Sequence, residues 1–182
     1  MFRILFFILA SGFFVKISWR SLHNPRCHGF YRFFVFEGVL ILLLLSAPYW
    51  FHDPLSVRQA VSLVLLCGSL FCVIQGVRQL KKKGGRRPDG THPENLAFEN
   101  TARLVTDGIF ARIRHPMYTS LLLLAWGLFL KHTALPSLVA AAATTCCVLV
   151  AARMEERENV AFFGHRYQAY MRRTYRFIPY VY

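Results

Sequence analysis

The sequence predicts an all-α integral membrane protein of about five transmembrane helices with a C-terminal interfacial amphipathic helix. Three observations carry that expectation. The 182 residues are 55% hydrophobic and only 17% charged, whereas a soluble domain carries about a quarter charged residues. The apolar residues fall in long runs nearly free of charge. The bases, 22 Lys+Arg against 9 Asp+Glu for a net charge of +13, gather between those runs. A nucleic-acid binder would carry its bases on a polar surface, and a disordered chain would lack the apolar content. Neither class describes this sequence.

Five apolar segments follow in order, at residues 4–19, 33–51, 60–77, 116–130 and 134–152. A helix crossing the hydrocarbon needs about 20 residues. The second, third and fifth segments meet that length, and the first and fourth are short. Arg3 before an apolar core resembles a signal peptide, but the run continues through Phe13, Phe14 and Val15 without a small-x-small cleavage site. A retained span is the expectation. Trp19 and Trp50 close the first two spans, where amphipathic rings prefer the headgroup zone. Residues 1–80 thus hold three N-terminal transmembrane helices.

Loop charge sets the orientation. With five spans and the N-terminus outside, every Lys and Arg except Arg3, Arg58 and Lys131 falls on the inner side. Cytoplasmic loops collect bases in this way, so the expected topology is N-terminus outside and C-terminus cytosolic. The basic run at 81–87, with Gly84 and Gly85, reads as a flexible topology signal beside anionic lipid.

Cys67, Cys72, Cys146 and Cys147 lie within apolar runs and read as small hydrophobes between helices. Their spacing builds no disulfide framework or zinc ribbon. Cys27 near His23 and His28 is a single short-loop cluster, and no metal site is expected. Glu37 sits in an apolar run, where an ionisable group is costly and often functional. Five residues from Arg32, it is placed either to pair with that base or to reach for the interface.

The region from about Asn95 to the C-terminus carries the chemistry. Asp107-Gly108 is a turn signal. Pro116 pushes His115 out of the helical region and suits the first helical position, so the fourth span should begin there. Arg114 and His115 then stand at its inner mouth, where free amides and the positive helix end favour an anion or polar ligand. Glu155 and Glu156 end the fifth span on the same side. Val160, Phe163, Tyr167 and Tyr170 continue at helical spacing as an amphipathic helix at the interface. The short hairpin of the fourth and fifth spans returns the chain to its starting side, so His115 and Glu155 can converge. Such a mouth fits a polar cofactor serving a lipophilic substrate.

Across residues 104–118 the chain reads Leu-Val-Thr-x-Gly ahead of Arg-His-Pro-x-Tyr. Glu155-Glu156 follow, then Phe-Gly-x-x-Tyr-x-x-Tyr at 163–170 and a closing Pro179. In this order and spacing the sequence resembles the isoprenylcysteine carboxyl methyltransferase family, the wider group of membrane methyltransferases that includes phospholipid N-methyltransferases. The likeness covers roughly the last half of the chain. It implies a cofactor-binding methyltransferase region over residues 81–182, with S-adenosyl-L-methionine held at the inner membrane face. By that resemblance Leu104 and Val105 line the adenosine, with Ala102 and Arg103 adjacent. Phe110 replaces a frequent tyrosine as an aromatic wall, and His115, Pro116, Met117 and Tyr118 form the polar and sulfonium-side wall. Glu155 and Glu156 bind the cofactor, a carboxylate being suited to ribose hydroxyls or an ammonium. Catalytic roles are implied for His115, Tyr118 and Arg173, the last matching an arginine of the family's C-terminal segment.

Two departures stand out. Tyr175 occupies a position where relatives of the eukaryotic enzyme carry proline. Ala151 stands one helical turn before the glutamate, where the eukaryotic enzymes carry a substrate-binding arginine, and Arg153 points to a different helical face. This argues against a prenylcysteine carboxylate as acceptor. The expected partners are a lipophilic or lipidated substrate (carboxylate, amine or thiol) and membrane lipids, with no nucleic acid. Two other functions share the pattern. One is an NADPH-dependent membrane reductase of the steroid 5α-reductase type, since fold-level likeness is a weak warrant for chemistry. The other is a non-enzymatic scaffold packing partner helices on Gly68, Gly76 and the alanines at 140–143.

Overall fold

The computed structural model describes residues 2–85 and 101–179; Arg86 and Arg87 of the basic run lie outside the described residues. Six α-helices follow in order: α1 (Phe2–Leu22), α2 (His28–Ser46), α3 (Val57–Lys83), α4 (Pro116–Lys131), α5 (Leu135–Phe163) and α6 (His165–Met171). Short 3-10 turns at Ala47–Tyr49 and Gly108–Ala111 complete the regular structure. Among the described residues there is no strand, only one parallel bridge between Ile113 and Tyr175. The chain is an all-α membrane protein. α1, α3, α5 and α2 with its 3-10 extension are long and apolar enough to cross a bilayer, and α4 is the shorter apolar helix.

Each boundary has a local cause. The Ser56 side chain caps α3 by accepting from Gln59 N at 3.3 Å. The three lysines of its last turn face the negative end of the helix dipole. α4 starts at Pro116, as the sequence predicts, and Arg58 Nη1 holds its other end by donating to Leu130 O at 2.7 Å and Lys131 O at 2.9 Å. α5 differs from the expected span. It continues past Ala152 through both glutamates to Phe163, because Glu, Arg and Met are good helix formers and polarity alone does not stop a helix. Gly164 stops it, with φ +59, a conformation L side chains rarely adopt. The amphipathic stretch is therefore divided: Val160 and Phe163 end α5, while Tyr167 and Tyr170 belong to α6.

The helices pack as α3 on α4, α2 on α5, and α1 on α2, with α4 also meeting α2 and α5. Small residues permit the close approaches. A Cβ on Gly38 would stand 2.1 Å from Thr144 Oγ1 of α5, and Ser62 Oγ donates to Gly127 O at 2.8 Å between α3 and α4. One core cluster joins Val35, Tyr118, Val148, Ala151, Ala152 and Phe177; a second joins Leu42, Ala125, Leu128 and Ala141. Outward apolar side chains such as Leu9, Val64, Leu70 and Phe71 are exposed, the surface that lipid covers in a bilayer. Glu37 faces α1 instead of Arg32: Ser11 Oγ donates to its Oε2 at 2.8 Å.

Gly164 tests the helix break. A Cβ there meets nothing within 4 Å, so Gly164→Ala should cost only the backbone strain, about 1–3 kcal/mol. A drop in thermal stability of the detergent-solubilised chain measures it.

Candidate active site

The second half of the chain folds its polar residues over the ends of α2, α3, α4 and α5. The segment entering at Thr101 is tied to α3 twice, by Arg103 N donating to Gly84 O at 2.8 Å and by Lys83 Nζ to Asp107 Oδ2 at 2.7 Å. Gly108 turns it with φ +59, and a Cβ there would fall 1.9 Å from Gln79 Nε2. The expected Asp-Gly turn thus also needs glycine for the close approach to α3. The C-terminal segment returns beside Arg112–His115: Tyr175 N donates to Arg112 O at 3.0 Å, Arg114 N to Tyr175 O at 2.8 Å, and His115 N to Arg176 O at 3.1 Å.

These ties hold a buried carboxylate. Glu156 accepts from Arg114 Nε at 2.9 Å, from Arg176 Nη2 at 2.7 Å and Nε at 3.2 Å, and lies 3.3 Å from His115 Nε2. Arg114 Nη1 reaches on to the carbonyls of Met171 and Thr174. Thr119 Oγ1 lies 3.0 Å from His115 O and 3.1 Å from Phe177 O, which joins α4 to the same returning segment.

On the other side of His115 a cavity of about 360 Å³ opens, lined by α2, α3, α4, α5, α6 and the segment from Thr101 to Phe110. Glu155, Asn159 and Phe163 form its α5 wall at successive i, i+4 positions. Glu155 Oε1 lies 3.9 Å from His115 Nδ1. No hydrogen-bond donor among the described residues occupies the Glu155 carboxylate, and its side chain is 31% exposed. Tyr167 and Tyr170 close the cavity from α6, Tyr170 OH donating to Phe110 O at 2.6 Å. Burial raises both phenols above their ordinary range, and Glu155 and Glu156 raise Tyr167 further. Both stay protonated near neutral pH and serve as donors, not bases.

The structure brings together Leu104, Val105, Phe110, His115, Pro116, Met117, Tyr118 and Glu155 on this cavity. Glu156 sits behind its wall in the arginine cluster. Ala102, Arg103 and Arg173 line a neighbouring groove of about 780 Å³ that shares Leu104, Phe163 and Tyr170 with the cavity. Sequence reasoning did not assign cavity roles to Arg32 and Phe36 of α2 or to Val73, Val77 and Leu80 of α3. Their helical spacing carried a signal, since 32 and 36 share one face, as do 73, 77 and 80, but that pattern is the same for any packed helix.

Fold and cavity define a membrane-spanning helical protein with a carboxylate and an imidazole on one cavity where its spans end. The family model for phospholipid methyltransferases matches residues 57–166, from the start of α3 to the start of α6. The chain belongs to that family, and is a membrane methyltransferase. Neither the curated proteins nor the solved structures give a match.

The two adjacent glutamates should separate in experiment. Glu156→Ala strands two arginines in a buried site and should cost about 3 kcal/mol. Glu155→Ala, on the cavity side, should stay within about 0.5 kcal/mol of the parent. Unfolding followed by tryptophan fluorescence compares them.

Proposed function

We propose that the chain transfers a methyl group from S-adenosyl-L-methionine to a lipophilic acceptor at the cytosolic membrane face. The observation that carries this reading is the pair His115 and Glu155, 3.9 Å apart on one cavity wall at the ends of the spans. The residues present fit the cofactor. The cavity volume lies within the range of about 300–1,000 Å³ used for small-molecule sites. Leu104, Val105, Phe110, Val77 and Leu80 offer apolar walls to a purine, and Glu155 offers an acceptor to ribose hydroxyls or an ammonium.

When bound, S-adenosyl-L-methionine supplies an electrophilic methyl carbon on a sulfonium. The chain's task is then alignment and exclusion of water. Proximity and orientation are worth up to about 7–11 kcal/mol in favourable cases. His115 is suited to hold a ligand donor. With the proton on Nε2 for a hydrogen bond to the Glu156 carboxylate, the neutral ring presents Nδ1 to the cavity as an acceptor. Tyr118 stands beside it, ring centroids 5.6 Å apart, and together they orient the acceptor. Tyr167, Tyr170 and Phe110 keep bulk water from the opposite side.

The acceptor enters laterally from the bilayer. α2 and α3 both line the cavity, yet they are not among the helix pairs that pack on one another. Between them lie Phe36, Val73 and Val77, a surface an acyl or isoprenoid chain can follow. The inner side is assigned by charge: Lys81, Lys82 and Lys83 end α3, and Arg153, Arg157 and Arg166 surround the end of α5.

Binding of S-adenosyl-L-methionine to the detergent-solubilised chain tests the cofactor assignment. Loss of a charge-assisted contact of about 1.5–3 kcal/mol should weaken binding roughly tenfold or more in Glu155→Ala; equal affinity removes Glu155 from the site. Tritiated-methyl transfer to total membrane lipids and proteins identifies the acceptor fraction, and NADPH binding in place of the methyl donor would support a reductase. For orientation, single cysteines at positions 135 and 166 in a cysteine-free background should label from opposite sides of sealed membranes, with position 166 reacting only from the cytosol.

A further inference from the structure

α6 has two faces with different surroundings. Tyr167 turns to the cofactor cavity, Arg166 and Ala169 line the neighbouring groove together with Arg173 just past the helix end, and Tyr170 stands between the two. Arg103 completes a set of three guanidiniums across that groove. No Asp or Glu lines it, and among the described residues none of the three guanidiniums makes an ion pair or hydrogen bond. The floor between them is apolar, from Leu104, Ala111 and Phe163.

The height of the groove follows from the spans. Arg103 is bonded through its backbone to Gly84 at the end of α3, and Arg166 stands three residues past the end of α5. Two membrane-crossing helices therefore end at its rim, each past its apolar segment and on the headgroup side of one leaflet. Guanidinium groups match phosphate oxygens in geometry and charge. An apolar floor beside them suits the glycerol and first acyl carbons of a lipid, not a fully hydrated anion.

We propose that this groove binds the phosphate of an acidic phospholipid in that leaflet. The bound lipid bridges α6 to the segment carrying Arg103. Both walls also enclose the cofactor cavity, so the lipid braces its roof. The groove is a separate site from the cavity, and its occupancy does not depend on which reaction the cavity performs.

The test uses the full chain in phosphatidylcholine vesicles holding spin-labelled phosphatidylglycerol or spin-labelled phosphatidylcholine. Electron paramagnetic resonance reads the fraction of each label immobilised by the protein. The parent chain should favour phosphatidylglycerol by on the order of fivefold, as clustered bases do at a membrane surface. R103Q/R166Q/R173Q should lose most of that preference, while K81Q/K82Q/K83Q keeps most of it. Equal selectivity in the parent and the arginine variant, or loss only in the lysine variant, overturns the proposal. Should the triple variant unfold, the single exposed Arg166→Gln decides: it should lower the preference measurably, and an unchanged preference overturns the proposal. Millimolar inorganic phosphate at constant ionic strength should leave the bound label in place; complete displacement would make the groove a site for a soluble anion and overturn the lipid assignment.

Discussion

A carboxylate removed from water is destabilising unless its charge and lone pairs are met, and Glu156 is met on every side. Arg114 comes from the approach to α4, Arg176 from the returning C-terminal segment, and His115 from the residue that caps α4. One side chain on α5 thus ties together two pieces of backbone that no long helix contains. Besides this cluster, the segment is held among the described residues by the parallel bridge, backbone hydrogen bonds to residues 112–115 and the burial of Phe177 in the core. The position of the imidazole and of the returning segment beside it is fixed in part by this contact.

The two glutamates have different surroundings. Adjacent helical residues point about 100° apart, so a pair at the same depth can serve two different neighbourhoods. Glu156 faces the arginines and is saturated. Glu155 faces the cavity and is left with acceptor capacity. The matched family region, 57–166, contains both glutamates and His115. The tyrosines that close the cavity and the Arg176 that completes the cluster lie beyond it, as does the α2 wall with Arg32 and Phe36. The family region supplies the polar centre, and the rest of the chain supplies much of its enclosure.

Local signals were legible in the sequence. Pro116 marked the start of α4 because its ring sets the backbone by itself, and Asp107-Gly108 marked a turn because glycine takes positive φ without a steric cost. The convergence of His115 with Glu155 followed from a short hairpin that had to return. The fifth span was expected to end at Glu155 and Glu156 with an amphipathic helix after them, because a change from apolar to charged side chains reads as a boundary although the backbone continues as one helix until Gly164. The saturation of Glu156 was not legible: Arg176 is 20 residues away and reaches it only after the chain has turned back. Nor was the outward placement of Arg103 and Arg173. Arg103 belongs to an irregular segment without a periodicity, and the facing of α6 is set by its break from α5.

The brevity of α4 has a consequence for the lipid around it. Its 16 residues span about 24 Å at the usual helical rise, less than the roughly 30 Å of hydrocarbon, and the helix opens directly onto the cavity at Pro116. Where the bilayer thins to meet such a mismatch, the nearby leaflet dips toward the helix end. A headgroup beside α4 would ride down in that dimple toward His115, so an amphiphile could present its polar end to the methyl donor while its tails remain dissolved among their neighbours.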